Sequence, residues 1–122
     1  MRRKAKLADG GRIGLPVCDA PSIREAVQRA REGHGDWEMA PNGYRRNAWE
    51  LIEVALLRSM AGQTWEQIAS AVGPALSSCQ RRMDLHRRLI GEDSTYARRA
   101  AEIGAAALRA CHPASRVVDD SG

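Results

Sequence analysis

The sequence predicts an all-α fold, and three observations support this prediction. The chain has 122 residues, of which 20 are alanine and none is phenylalanine, so alanine, aliphatic side chains and three tryptophans must build its core. Apolar residues recur at intervals of three or four along several segments, and no segment shows sustained alternation. Capping residues precede these segments, and glycine or proline follows them. A chain of this length buries one core of about three to five helices.

Residues 1–20 are predicted to form a basic flexible arm. The segment begins with three basic residues, Arg2, Arg3 and Lys4, and contains several glycines further on. One interpretation is that these side chains follow DNA phosphates or enter a minor groove. The other is that the arm only keeps the protein in solution, and the sequence favours neither.

Residues 21–43 are predicted to form an N-terminal helix and a linker. Ser22 and Glu25 have the spacing of a capping box, which indicates a helix running to about Glu32. Trp37 lies in the linker, and we expect it to pack over the core, although contact with a partner would also explain it.

Residues 44–90 are predicted to form a core of three helices. The first runs from about Tyr44 to Ala61 and is apolar nearly all round, which is typical of a helix buried on several sides. Thr64 has capping-box spacing to Gln67 and predicts a second helix from Trp65, which ends at Gly73. The third helix follows this turn.

The third core helix has an apolar side and a charged side. Cys79, Met83 and Leu89 recur at helical spacing, which indicates that this side is buried. The start of the helix is open: the spacing allows Leu76, whereas capping by Ser77 would delay it to Ser78. The outward side is predicted to carry Gln80, Arg81, Asp84, Arg87 and Arg88.

Residues 91–111 are predicted to form an alanine-rich C-terminal helix, and residues 112–122 a flexible tail. Asp93 or Ser94 can cap this helix. Its thin apolar stripe consists of Tyr96, Ala100, Ile103, Ala107 and Leu108. The stripe either completes the core of the monomer or pairs with a second copy, so oligomerisation is an open alternative.

The spacing of small and buried residues across the turn indicates a known family. Ala69 lies inside the second core helix, Gly73 follows four positions later, Cys79 follows after six more, and Met83 comes one turn on. From about Ala48 to Leu89 the chain resembles tri-helical helix-turn-helix DNA-binding domains of bacterial or phage type.

A second resemblance, to Myb/SANT-type repeats, is carried by tryptophans and by a Cys-x-x-Arg pattern. Trp49, Trp65 with Ile68-Ala69, and Cys79 with Arg82 occupy similar positions. The arrangement is also similar to the DNA-binding part of phage small terminase subunits and to the promoter-reading domain of sigma factors.

The resemblance implies that the third core helix enters a major groove. Arginine suits guanine O6 and N7, and glutamine suits adenine N6 and N7, so Arg81 and Gln80 are the expected base readers. Capping of the helix by Ser77 would partly occupy Gln80. Other outward arginines and the start of the Trp65 helix would hold phosphates. The predicted DNA-contacting residues are Ser77, Ser78, Gln80, Arg81, Arg82, Asp84, Arg87, Arg88, Thr64, Arg45, Arg46, Arg2, Arg3 and Lys4.

Charge and composition favour a polyanionic partner. The net charge is +4, the basic residues are almost all arginine, and the isoelectric point is near 9.4. Arginine suits phosphate and base contacts, although a GC-rich genome would give the same bias. Cys18, Cys79 and Cys111 are odd in number and widely scattered, so we expect no disulfide framework and no metal site.

The sequence contains no enzyme signature, and we expect no cofactor and no membrane segment. The leading hypothesis is a sequence-specific DNA-binding protein, a bacterial or phage transcriptional regulator that binds double-stranded DNA in the cytoplasm and associates with the nucleoid, with a homodimer as an open option. The first alternative is a protein-interaction module that holds RNA polymerase, a sigma factor or a phage assembly. The second is a packaging or architectural protein that binds DNA with little sequence preference.

Overall fold

The computed structural model describes residues 5–6, 12–13, 16–40, 43, 45–73 and 76–112, with backbone only at 5–6, 12–13 and 76–77.

Helices dominate the described part of the chain, which confirms the predicted all-α fold. They are α1 (Ala20–His34), α2 (Ala48–Ser59), α3 (Trp65–Val72), α4 (Leu76–Glu92) and α5 (Ser94–Cys111). The strands are β1 (Ala5–Lys6), β2 (Arg12–Ile13), β3 (Glu38–Met39) and β4 (Arg46–Asn47).

Two short antiparallel pairs were not predicted. β1 pairs with β2 within the segment expected to be a flexible arm, and β3 pairs with β4 on either side of the linker turn. In the second pair, Glu38 lies opposite Asn47 and Met39 lies opposite Arg46. Each strand has two residues, which is too short to produce a visible alternation of apolar and polar side chains.

The central helix is α2, as its apolar composition predicted. Leu51, Ile52, Val54 and Leu57 are completely buried, and α2 contacts α1, α3 and α4. It begins at Ala48, later than the predicted Tyr44, because Asn47 acts as its N-cap. The Asn47 side-chain oxygen accepts hydrogen bonds from the N–H groups of residues 49 and 50 at 2.9 and 3.3 Å.

Helix α1 packs against α2 and α5 through Ile23 and Val27, which are both buried. Its N-cap differs from the prediction: Asp19 accepts a hydrogen bond from the Ser22 N–H at 2.8 Å, so Ser22 lies inside the helix. This bond also lowers the pKa of the Asp19 carboxyl, because it favours the ionised form. The helix therefore begins three residues earlier than the sequence pattern indicated.

Helix α5 covers the far side of α1 and also contacts α4. Asp93 caps it, accepting a hydrogen bond from the Tyr96 N–H at 2.9 Å, as one of the two predicted caps. Four of the five predicted apolar positions are buried. Leu108 is not, with 38% of its surface exposed, because the buried positions follow the row through Ala100 and Ala107 instead.

A disulfide joins Cys18, just before α1, to Cys111, the last residue of α5. The two Cα atoms lie 5.7 Å apart although 93 residues separate them in sequence. This pairing corrects the expectation that the scattered cysteines form no disulfide framework. The sequence could not reveal it, because only the packing of α1 on α5 brings the two ends together.

Trp37 packs over the core, as expected, within an aromatic cluster. Its ring lies 4.8 Å from that of Trp49 and 5.7 Å from that of Tyr96. The Arg99 guanidinium lies 4.6 Å above the Trp37 ring, at a cation–π distance. The Trp49 indole N–H donates to the Gly35 carbonyl at 2.9 Å, which ties α2 to the end of α1.

Candidate nucleic-acid interface

Helix α3 is held at both ends by the local signals that predicted it. The Gln67 N–H donates to the Thr64 hydroxyl at 3.1 Å, and the Thr64 N–H donates to the Gln67 side chain at 2.8 Å, which completes a capping box. At the other end Gly73 has φ of 105°, and its N–H donates to the Ala69 carbonyl at 2.8 Å. The left-handed backbone at Gly73 turns the chain toward α4.

Arg58 fixes the connection between α2 and α3. Only 7% of its surface is exposed, and its Nη1 donates to the Gln63 carbonyl at 3.1 Å. The guanidinium also lies 4.2 Å above the Trp65 ring. One buried arginine on α2 thus holds both the loop and the first residue of α3. Because the role of Arg58 depends on its burial, no pattern in the sequence indicated it.

Helix α4 begins at Leu76, which agrees with the earlier of the two predicted starts. Its inner side presents Cys79, Met83, Leu85 and Leu89, which are all buried. Burial raises the pKa of the Cys79 thiol, because the thiolate is poorly solvated there. Cys79 therefore serves as a small apolar core residue.

The outer side of α4 is the best candidate for contact with a nucleic acid. Five polar or charged side chains are exposed there, three of them arginines and one an aspartate. They are Gln80, Arg81, Asp84, Arg87 and Arg88. These positions lie three or four residues apart, so the helix presents them as one continuous stripe.

Two of the three outer arginines have acidic neighbours on α4. Arg87 lies 3.6 Å from Asp84, and Arg88 lies 3.2 Å from Glu92. Such exposed pairs contribute little to stability, so Arg87 and Arg88 can exchange these carboxylates for other acceptors with little loss of stability. Arg81 is exposed and has no ion pair with any other residue that the structure describes. It is the outer cation that the fold constrains least.

Arg82 is placed differently from the prediction, which assigned it to phosphate contacts. Its Nε donates to Glu50 of α2 at 2.9 Å, and its Nη1 donates to the Ser78 carbonyl at 3.3 Å. The side chain is only 16% exposed. Arg82 is a bridge between α4 and α2, and Ser78 is half-buried beside it.

The start of α3 was a second predicted phosphate site. Thr64 is half-buried, and its hydroxyl is occupied by the capping bond to Gln67. Glu66, in the first turn of the helix, is exposed and carries a negative charge. The charge opposes binding of a phosphate there, so Thr64 acts mainly as a cap.

Arg45 and Arg46 precede α2 at the end where α4 crosses it. Arg45 is exposed and lies 3.3 Å from Glu38, whereas Arg46 is half-buried in β4. The Arg82–Glu50 bond places the middle of α4 beside the first turn of α2. Both arginines therefore lie near the end of α2 that α4 contacts.

The remaining predicted contacts fall outside the described residues. Arg2, Arg3 and Lys4 of the basic arm lie there entirely, and so does the side chain of Ser77. Because α4 begins at Leu76, Ser77 lies inside the helix and is not its N-cap, so the alternative start at Ser78 is wrong.

His86 and Tyr96 form a polar pair behind α4 that the sequence did not indicate. The His86 Nδ1 and the Tyr96 hydroxyl oxygen are 2.8 Å apart. Burial lowers the pKa of His86 to about 4, with a further contribution from the charge of Arg87, and burial raises the pKa of Tyr96. A neutral imidazole and a protonated tyrosine hydroxyl therefore share this hydrogen bond, which couples α4 to α5.

Arg24 connects α1 to both α2 and α3. Its Nε lies 3.0 Å from Glu53, and its Nη2 donates to the Ala71 carbonyl at 3.4 Å, near the end of α3. The pair lines a polar cleft of about 370 Å³ between these three helices. Burial raises the pKa of Glu53, although the charge of Arg24 opposes this shift. Helix α1 thus supports the turn between α3 and α4.

Comparisons of the chain with protein-family models, with curated proteins and with solved structures found no match. Within the described ranges, no group of three histidine, cysteine or acidic side chains has the arrangement to hold a metal ion. None of the helices described is both long and apolar enough to cross a membrane.

Proposed function

We propose that α2, α3 and α4 form a helix-turn-helix DNA-binding domain and that the protein recognises DNA in a sequence-specific manner. The observation that carries the proposal is the outer stripe of α4, on which Arg81 stands exposed and unpaired within the described structure. Helix α3 precedes it across a tight glycine turn, and α2 supports both helices. In this arrangement α4 is the element that enters the major groove.

The exposed side chains of α4 divide into base-reading and phosphate-binding roles. Arg81 is the reader of guanine, through two parallel hydrogen bonds to O6 and N7, and Gln80 is the reader of adenine. Arg87 and Arg88, one to two turns further on, exchange their carboxylate neighbours for phosphates. Arg82 takes no part in the contact, because the bond to Glu50 holds it inside.

The wider proposal includes a homodimer that reads two half-sites and an association with the nucleoid. Support for the dimer comes from α5, where Leu108 is exposed beside an outer row of alanines. Size-exclusion chromatography coupled to light scattering measures the oligomeric state directly. A monomer mass at micromolar protein concentration would remove the dimer from the proposal.

The experiment is fluorescence anisotropy with purified protein and labelled duplexes, first random and then selected for binding, over a range of salt concentrations. We expect preference for a selected sequence and a linear fall of log K with log salt, because phosphate neutralisation releases counterions. Arg81→Ala should abolish most of the preference. Arg98→Ala, which removes an exposed arginine from α5, is the matched control and should leave the preference intact.

The two other classes of function appear as distinct results of this experiment. Salt-dependent binding without preference, and without a special effect of Arg81→Ala, would indicate a packaging or architectural protein. No binding to any duplex at low salt would overturn the DNA proposal and leave a protein-interaction module, with RNA polymerase, sigma factors and phage assembly proteins as the partners to test.

A further inference from the structure

The disulfide between Cys18 and Cys111 lies where the two ends of the described helical body meet. Cys18 precedes the first turn of α1 and is buried, with 6% of its surface exposed. Cys111 ends α5 and is half-buried. Cys79, in the core of α4, is the free cysteine of the three. The disulfide therefore joins helices that are distant in sequence. Cys79 remains as a free thiol that is counted in both redox states.

The surroundings of the two sulfur atoms suit the reduced state as well as the oxidised state. The Cys18 Sγ lies 3.4 Å from the Ala107 carbonyl oxygen, which can accept a hydrogen bond from a thiol. The Cys111 Sγ lies 3.7 Å from a carboxylate oxygen of Asp19, and the Asp19 N–H donates to it at 3.3 Å. Both thiols would thus have partners without movement of the helices.

The docking of α1 does not depend on the disulfide alone. Ile23 and Val27 are buried between α1 and the rest of the core, and Arg24 bonds both α2 and α3. The reduced protein therefore keeps the same interfaces. The covalent bond restricts the unfolded chain, because it closes a loop of 93 residues, and in the folded protein it also prevents α1 and α5 from separating locally where they meet.

We propose that Cys18 and Cys111 are a reversible redox modification site. Oxidation joins α1 covalently to α5 and thereby stabilises the contacts of these helices with the α3–α4 unit, which consists of α3, the turn at Gly73 and α4. The reversibility rests on the proposed function, since disulfides of proteins that work beside DNA in a reducing compartment are transient and usually redox-sensing. The disulfide is connected to α3 through the hydrogen bond of Arg24 in α1, and to α4 through the hydrogen bond between Tyr96 of α5 and His86.

The chemistry is thiol–disulfide exchange with a small-molecule disulfide such as oxidised glutathione. The Cys111 thiolate, which is the more accessible sulfur, attacks one sulfur of the oxidant and releases one glutathione thiolate. The Cys18 thiolate then attacks the Cys111 sulfur of the mixed disulfide and releases the second glutathione. Two protein thiols are oxidised, one glutathione disulfide is reduced to two thiols, and the two protons pass to solvent or to the leaving thiolates.

The test begins with the full chain treated with either oxidised glutathione or a dithiol, followed by removal of the reagent. Thiols titrated in denaturant should number one after oxidation and three after reduction, with peptide mapping placing the bond between Cys18 and Cys111. The oxidised protein should melt about 10 °C or more above the reduced protein, because the closed loop is long.

Serine variants connect this shift to the two residues. Cys18→Ser and Cys111→Ser should each melt at the same temperature under both treatments. Cys79→Ser, the matched control, should retain the difference between treatments even where burial of a hydroxyl lowers both melting temperatures. Three titrated thiols after oxidation, or equal melting temperatures of proven oxidised and reduced forms, would overturn the proposal.

Anisotropy with a bound duplex, repeated on both forms, tests the effect on the α3–α4 unit. We expect tighter binding by the oxidised form, whereas equal affinity of the two forms would refute the link to this unit. If neither form binds DNA while the thiol count and the melting shift appear as expected, the redox site stands and the proposed DNA-binding function fails. The two failures are thus distinguishable.

Discussion

Arg82 of α4 donates from its Nε to Oε1 of Glu50 in α2, at 2.9 Å. The two side chains are 16% and 30% exposed, so the pair is shielded from solvent more than the other ion pairs on α4. A shielded pair of this kind sets the crossing of α4 over α2, and through it the direction in which the outer stripe faces.

Removal of either partner should leave the other without its main bond. We expect Glu50→Ala and Arg82→Ala each to lower the free energy of unfolding by about 1–3 kcal/mol, since a partly buried charge loses its partner. The double variant should lose less than the sum of the single losses, because the pair is absent in all three. Denaturant titration followed by circular dichroism measures the four proteins.

The control for this cycle is Asp84→Ala with Arg87→Ala, an exposed pair at 3.6 Å on the same helix. Its single variants should change stability by less than about 0.5 kcal/mol. Equal losses of unfolding free energy in both cycles would show that the Arg82–Glu50 pair contributes no more to stability than an exposed pair does.

Stability should fall on mild acidification because of His86. Its pKa in the folded protein is about 4, below the ordinary value of 6.5, so the unfolded chain takes up the proton first. The contribution of the neutral imidazole is complete above pH 6.5 and is lost as the pH falls toward 4. We expect a total loss of about 1–3 kcal/mol over this window, after allowance for the partial exposure of the ring.

Thermal denaturation between pH 5 and 6.5, above the range of most carboxylates, isolates this effect. His86→Gln keeps a hydrogen-bonding partner for the Tyr96 hydroxyl and should flatten the profile in this window. His34→Gln, at the exposed end of α1, should leave the slope unchanged. A steep profile that persists in the His86 variant would assign the acid sensitivity to other groups.

The turn between α3 and α4 should require a glycine at position 73. Its φ of 105° is a conformation that side chains with a Cβ rarely adopt, so Gly73→Ala should cost about 1–2 kcal/mol of stability even though no atom blocks the new methyl group. Gly91→Ala is the matched control. Gly91 is helical in α4 with open space around it, so this change should stabilise by up to about 1 kcal/mol. If both variants changed the stability in the same direction, the requirement for a left-handed backbone at Gly73 would be contradicted.

Asp84 should restrain DNA binding if α4 is the recognition helix. It carries the negative charge nearest to Arg87 on the outer stripe, and it would face the phosphates. We expect Asp84→Asn to raise the affinity for random duplexes several-fold at low salt, with a smaller gain at high salt, because the gain is electrostatic. Asp36→Asn serves as control, since Asp36 is an exposed carboxylate paired with Arg31 at 3.4 Å. Anisotropy at two salt concentrations is sufficient, and a similar gain from both variants would indicate a response to net charge alone.

Local signals in the sequence were sufficient for both ends of α3 and for the start of α5. The capping box of Thr64 with Gln67 and the left-handed Gly73 were predicted, and Asp93 was one of two predicted caps, because each contact spans four residues or fewer. Local signals also compete with each other. Asp19 and Ser22 are both good caps for α1, and the capping-box spacing favoured Ser22, whereas Asp19 is the N-cap in the structure.

The sequence by itself determined that the chain is helical, which faces of its helices are apolar, and that arginines line the outer side of α4. These properties follow from the residue types and their period of 3.6, which need no distant contact. The tertiary structure alone decided which of those arginines faces solvent. Arg81 and Arg82 are neighbours in sequence, but only the crossing of α4 over α2 brings Glu50 to Arg82 and leaves Arg81 outside. The same holds for Cys18 and Cys111, because pairing over 93 residues depends on how the helices pack.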